Sequence, residues 1–384
     1  MNGDHTPAYD IARWRSRIPL LATHVPMNNC SQAPQTLDTR EAALRYLDSW
    51  NSAGMDWDSW MHEVTLAKHA FARLINADVD EIAIVSSVSE AVSAIASALD
   101  FSGKRRTVVL TEAEFPTVGH VWLAQQHRGA ALQWVPVHDG AVDPAAYDGV
   151  IDETTCIVSA SHGYYLNGAT QDLEQLARVT RAHSALLLVD AYQTLGAVPI
   201  DVKATEIDFL ASGNLKYLMG VPGIAFLYVR RALIERLEPA VTGWFGRANP
   251  FAFSVNTLDW SPTASRFDTG TPPVMNAYIA RAGMDIINSI GVAHIRDWHT
   301  ILGQHLLDGG LARGMRVLGR KTMHDKTANT AFIVDDAHRV EVAMHALGVV
   351  AAARGPVIRL APHFYTTLED CDVALDALAA TVKP

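Results

Sequence analysis

IDFLASGNLKYLMGVPGIAFLYV, residues 207 to 229, sets two apolar runs of strand length on either side of a single lysine, Lys216. Neither run alternates apolar with polar residues as a half-exposed strand does, so both read as strands covered on two faces. Small and polar residues, Ser212, Gly213 and Asn214, lead into the lysine. Lysines commonly sit in loops between strands, so the meaning of this one depends on what the rest of the chain brings near it.

Five more runs precede it: IAIVSS (82–87), TVVLT (107–111), ALQWVPV (131–137), TTCIVSAS (154–161) and ALLLVDA (185–191). Helix-spaced segments such as SEAVSAIASAL, FPTVGHVWLAQQHR and DLEQLARVTRAHS lie between several of them. Continuous apolar strands alternating with helices predict an α/β fold with a mostly parallel seven-stranded sheet between helices. The run 223–229 follows Lys216 so closely that it is expected as an antiparallel edge. Residues 31–74 read as helical. After about residue 260 two long helical patterns, PVMNAYIARAGMDIINSIG and VAHIRDWHTILGQHLLDGGLA, precede the short strands NTAFIVDD and GPVIRLAP and a closing helix. This predicts an N-terminal segment (1–30) packed with the small domain, a large domain (31–260) and a smaller α+β domain (261–384).

Composition narrows the function. The formal charge is -10 and no Lys/Arg-rich run occurs, which argues against nucleic acid as the main partner. The three cysteines, Cys30, Cys156 and Cys371, are widely spaced with no CxxC pair, so no disulfide framework or metal site is indicated. No charge-free apolar stretch of about 18 residues predicts a membrane span. The N-terminus lacks the apolar core of a signal peptide, so a cytoplasmic location is expected.

Ligands of open α/β sheets bind beyond the carboxyl ends of the strands. There the sequence sets Asp190, closing LLLVD, with Gln193 three residues on; the turn SSVSEA (86–91); and SHGYY (161–165), which begins with Ser161 and His162. An acid ending one strand and a lysine after the next suit pyridoxal 5'-phosphate. The amine forms an imine with the cofactor aldehyde, and the carboxylate keeps the pyridine nitrogen protonated. The phosphate needs a helix N-terminus, which SSVSEA supplies. Phe115, in EAEFPTVGH, is expected to cover the ring face.

The stretch DAYQTLGAVPIDVKATEIDFLASGNLKYLMGVPGIAFLYV resembles the signature of the class V aminotransferase superfamily, of fold type I, which includes kynureninases, cysteine desulfurases and isopenicillin N epimerases. EFPT, GWFG, RFDTGTPP, VIRLAP and DLEQL after an HGYY stretch look most like the kynureninase branch. The resemblance implies a homodimer with active sites at the subunit interface. It implies that Lys216 carries the cofactor, Asp190 pairs with the ring nitrogen and Gln193 hydrogen-bonds near the ring hydroxyl. Val88 and Ser89 would hold the phosphate, helped by Thr271 reaching across from the other subunit. Arg359 would grip the substrate carboxylate as a bidentate fork, and Trp244 would stand on the substrate side.

The chain also departs from that pattern. The residue before the Schiff-base lysine is a histidine in desulfurases and a tyrosine in kynureninases, but Leu215 here. Ser212, Tyr164, Tyr165 or His162 are the candidates to replace its polar function. VVAAARGPVI, between Gly348 and Arg359, carries none of the cysteine that a persulfide route requires. The favoured expectation is therefore Cβ cleavage of an L-amino acid, by C–C hydrolysis or C–S elimination. Epimerisation and transamination remain open on the same residues, as does a catalytically idle binding protein.

Overall fold

The protein is described by a computed structural model covering residues 6–382. All seven runs form strands: β1 (Ile82–Val85), β2 (Thr107–Thr111), β3 (Ala131–Val135), β4 (Thr155–Ser161), β5 (Leu186–Asp190), β6 (Phe209–Gly213) and β7 (Ala225–Val229). They lie in one sheet in the order β1-β7-β6-β5-β4-β2-β3. Only β7 runs against the others, pairing antiparallel with β6 on one side and β1 on the other. The antiparallel direction expected for 223–229 is therefore found, but its edge position is corrected. All five residues of β7 are buried, and covering them takes a strand on each flank.

That leaves β1 at the edge, where unpaired backbone invites aggregation. The Ile84 N–H is instead satisfied by Asp268 Oδ1 at 2.7 Å, and Asp268 in turn pairs with Lys68 at 2.8 Å. Because β7 alone is reversed, the other six strands send their carboxyl ends to one rim of the sheet.

Successive residues of each strand feed opposite cores. Val109, Val158, Val189 and Leu210 join one apolar cluster, while Val108, Ile157, Leu188 and Phe209 join the other. Helix α1 (Leu37–Ala53) starts at a capping box of Thr36 and Thr39 and stops at Gly54, whose φ of 69° suits a residue without a Cβ. Helix α2 (Trp57–Leu74) follows, and Phe71 on it stacks on Phe226 of β7 at 4.7 Å. Losing such a ring costs about 3–5 kcal/mol. On the other face, helix α3 (Val88–Ala98) buries Val92 and Ile95. Helix α4 (Pro116–Leu123) begins with the proline at its first position, where no N–H is needed. Helix α5 (Leu173–Ala182) connects β4 to β5. Helix α6 (Val274–Ile290) packs against both α1 and α2 and shares the core of the large sheet.

A second sheet is antiparallel throughout. Its strands are β8 (Arg316–Val317), β9 (Thr330–Ile333), β10 (Ala352–Arg354) and β11 (Val357–Leu360), in the order β10-β11-β9-β8. Helices α7 (Val292–Ala312), α8 (Ala337–Ala346) and α9 (Leu368–Val382) build its core. The N-terminal residues run beside it. Val25–Pro26 pairs with Val349–Val350, the Tyr9 hydroxyl donates to the Phe364 carbonyl at 2.7 Å, and Arg15 pairs with Asp370. Ala33 then donates its N–H to the Leu215 carbonyl at 2.9 Å, tying this segment to the lysine loop. Among the described residues no helix is long and apolar enough to cross a membrane.

Candidate active site

The carboxyl ends of β4, β5 and β6 stand in register, with Ser161 beside Asp190 and Asp190 beside Ala211. Lys216 follows β6 by three residues. Together with the N-terminus of α3, the turn before α4, residues 30–31 and the β10–β11 hairpin, these ends enclose a cavity of about 290 Å³.

The Lys216 amine opens onto this cavity between two rings. Nζ lies 4.1 Å from the Tyr192 centroid and 5.7 Å from that of Phe115. The Tyr192 ring packs over Gly213, where a Cβ would run into it. Burial lowers the Lys216 pKa to about 8, against the opposing pull of Asp190; Arg359 and Arg354 push in the same direction as burial. Asp190 is 9% exposed and accepts the Tyr192 N–H at 2.9 Å. Burial raises its pKa, while the Tyr192 N–H and Lys216 hold it down.

At the phosphate end, Ser87 caps α3 by accepting the Glu90 N–H, and the Ala91 N–H is taken by the Ser87 carbonyl. The N–H groups of Val88 and Ser89 belong to the first turn, which has no partners within the helix. Both residues line the cavity, and Ser89 Oγ lies 2.7 Å from Thr117 Oγ1. Gln193 lines it too, with Nε2 donating to the Cys30 carbonyl at 3.0 Å. Arg359 on β11 is 1% exposed, and its fork is aimed by Ser31 Oγ at 2.7 Å and the Tyr165 carbonyl at 2.8 Å. Tyr165 in turn meets Phe115 edge-on at 5.2 Å.

The residues fit pyridoxal phosphate. A buried carboxylate with no ion pair among the described residues, the first-turn residues of α3, the rings flanking the amine and a fixed guanidinium all line the cavity. Of the residues the sequence suggests, Lys216, Asp190, Val88, Ser89, Phe115, Ser161, Gln193, Tyr165 and Arg359 meet around the cavity.

Five others lie outside the lining. His162 is buried beside the site with Nδ1 2.9 Å from Thr194 Oγ1, and burial lowers its pKa to about 4, so it stays neutral near pH 7. Ser212 turns its hydroxyl to the Gly213 carbonyl at 2.9 Å. Trp244 stacks on Trp57 at 6.2 Å and on Phe253 at 6.1 Å, in an aromatic group with Phe245 and Phe251. Thr271 is exposed in the turn before α6. Tyr164, suggested as a polar substitute, is also outside the lining; its buried hydroxyl has no partner among the described residues.

Sequence reasoning missed several neighbours. Tyr192 sits between two residues it did single out. Glu114, next to Phe115, is buried and accepts the Ser161 N–H at 3.0 Å, the Ser161 hydroxyl at 2.5 Å and the Thr111 hydroxyl at 2.9 Å. Burial raises its pKa to about 7, and Asp190 adds to the rise. Cys30, Ser31 and Arg354 also line the cavity, and no local signal marks them.

The family description Aminotransferase class-V matches residues 31–352. The chain is 38% identical to the "Uncharacterized aminotransferase YcbU" of Bacillus subtilis over 96% of its own length and 97% of the relative's. It is 27% identical to a kynureninase of Burkholderia mallei over 81% of this chain and 75% of that one. Its fold matches the apo cysteine desulfurase of Thermococcus onnurineus with a TM-score of 0.88 at 20% identity, covering 99% of both chains. The chain belongs to the class V aminotransferase family of fold type I enzymes, with pyridoxal 5'-phosphate as cofactor.

Proposed function

We propose that the protein binds an L-amino acid through Arg359 and cleaves it at Cβ, as a lyase or hydrolase of C–C or C–S bonds. The observation that carries this reading is the convergence of Lys216, Asp190 and Arg359 on one cavity from three separate elements. Asp190 would hold the ring nitrogen. Val88 and Ser89, with the Thr117 hydroxyl, would hold the phosphate, and Phe115 and Tyr192 would flank the ring. When bound, the cofactor supplies an electron sink that stabilises negative charge at the substrate Cα. Lys216 Nζ, with its pKa lowered to about 8, takes the Cα proton. Arg359, aimed by Ser31, fixes the substrate carboxylate and so the bond presented to that amine.

Cβ cleavage without a persulfide is supported by the state of the thiols. The β10–β11 hairpin carries no cysteine, and Cys371 is fully buried on α9. Cys30 sits in a segment fixed by the bridge from Asn28 to Ala361 and by Gln193. Transamination is a second reading, favoured by the name of the 38% identical relative. Trp244 and Thr271 belong to a further part of the reading, in which the protein is a homodimer and they serve the partner's site; sedimentation at equilibrium tests it.

The test of the reaction is incubation of the loaded protein with aryl-ketone, thioether, sulfoxide and sulfinate amino acids. Alanine or pyruvate is the expected product. A keto acid that keeps the whole carbon chain would instead establish transamination, and a D-enantiomer epimerisation.

A further inference from the structure

Two guanidinium groups line the cavity, and only one is committed. Arg359 is fixed by Ser31 and by the Tyr165 carbonyl. Arg354 ends β10 on the same face of the hairpin. Ala352 pairs with Arg359 and Arg354 with Val357, so Arg354 lies two residues along the strand from the partner of Arg359. That spacing sets the two side chains' origins about 7 Å apart. Arg354 is exposed at the cavity, and among the described residues it forms no ion pair and donates no side-chain hydrogen bond. Glu341, on the helix packed against β10, is engaged elsewhere: it accepts the Ala353 N–H at 2.9 Å and lies 3.4 Å from His338 Nδ1. Asp190 is the one carboxylate in the lining, and its role is to face the cofactor ring. An uncharged substrate side chain would leave the second guanidinium unanswered.

We infer that Arg354 receives a second acidic group, and that the substrate is an L-amino acid carrying a carboxylate or sulfinate two or three bonds from Cα. The two guanidiniums then act as a pair, Arg359 on the α-carboxylate and Arg354 on the side chain. A fork of this kind recognises planar oxyanions better than an ammonium does. The inference rests on the amino acid reading of the cavity and names the substrate class for it.

Equilibrium titration of the cofactor-loaded protein, followed by its visible band, tests this with L-aspartate against L-asparagine and L-glutamate against L-glutamine. At least one acid is expected to bind tenfold or more tightly than its amide. Arg354→Gln should abolish that preference while holding the amide affinities within about twofold, and Arg354→Lys should restore part of it. Because Arg354 is exposed, an unchanged visible band confirms that the variants still fold and load. Response to all four ligands with no preference for the acids, or a preference that survives Arg354→Gln, overturns this inference alone. No response to any of the four overturns the amino acid reading as well.

Discussion

Lys216 and Lys326 are both set inside the protein, and their surroundings differ. Lys326 is 0% exposed, and its Nζ donates to the carbonyls of Asn167 at 3.3 Å, Thr327 at 3.2 Å and Asn329. Lys216 keeps some surface on the cavity, and its neighbours are ring faces and the Asp190 charge rather than carbonyls. Burial lowers the Lys326 pKa to about 7, but an amine whose hydrogens are spent on fixed carbonyls is a structural staple whatever its charge. An amine facing rings is held short of partners and therefore remains available as base and nucleophile. Burial alone does not mark a chemical lysine; what its nitrogen lacks does.

The contrast is broken most directly by removing each amine. Lys216→Ala is expected to lower turnover by roughly a thousandfold or more. Normal rates in that variant would sink the mechanism. Lys326→Met should do the reverse, costing about 2–4 kcal/mol in denaturant melts because several buried carbonyls lose their donor, with the chemistry of any folded, loaded fraction unchanged. Arg359→Lys retains the charge and loses the fork, and is expected to reduce kcat/KM by about 30-fold, or about 2 kcal/mol.

A pH prediction sharpens the same comparison. The folded Lys216 pKa is about 8 against 10.5 for the unfolded chain. Between these values the unfolded state binds more protons, so its contribution to the stability of cofactor-free protein rises with pH across that window. Below about pH 8 both states are protonated and the burial penalty is present in full. Melts at pH 7.5 and 10 should show the rise, and Lys216→Met should reduce it. The smallest effect is expected of Cys30→Ser, with turnover within about twofold of wild type; loss of turnover there would bring back a persulfide route.

Much of this site was legible in the sequence because strand ends are local features. LLLVD ends in an acid, SSVSEA opens a helix, and a lysine follows the next apolar run, so sheet topology alone sends all three to one rim. The edge position of β7 was misread because sequence order does not reveal which strand pairs outside another; β1, the first strand of the large sheet, returns to flank its last. His162 and Ser212 looked polar and close, yet each is satisfied by a neighbour, Thr194 or the Gly213 carbonyl, which residue type does not show. Glu114 was passed over for the opposite reason. A carboxylate between an apolar strand and a helix reads as solvated until its three donors are seen.

The sequence by itself determined the seven strands, the strand-end chemistry and the family, because periodicity, strand-end residues and short motifs act over a few neighbouring positions. The tertiary structure alone decided that Cys30 and Ser31 line one cavity with Lys216, that Ser31 aims Arg359 from 328 residues away, and that Arg354 stands beside it with no ion pair among the described residues. Those contacts depend on how two sheets and the N-terminal segment pack together, and no local preference of the chain encodes a distance between residues so far apart.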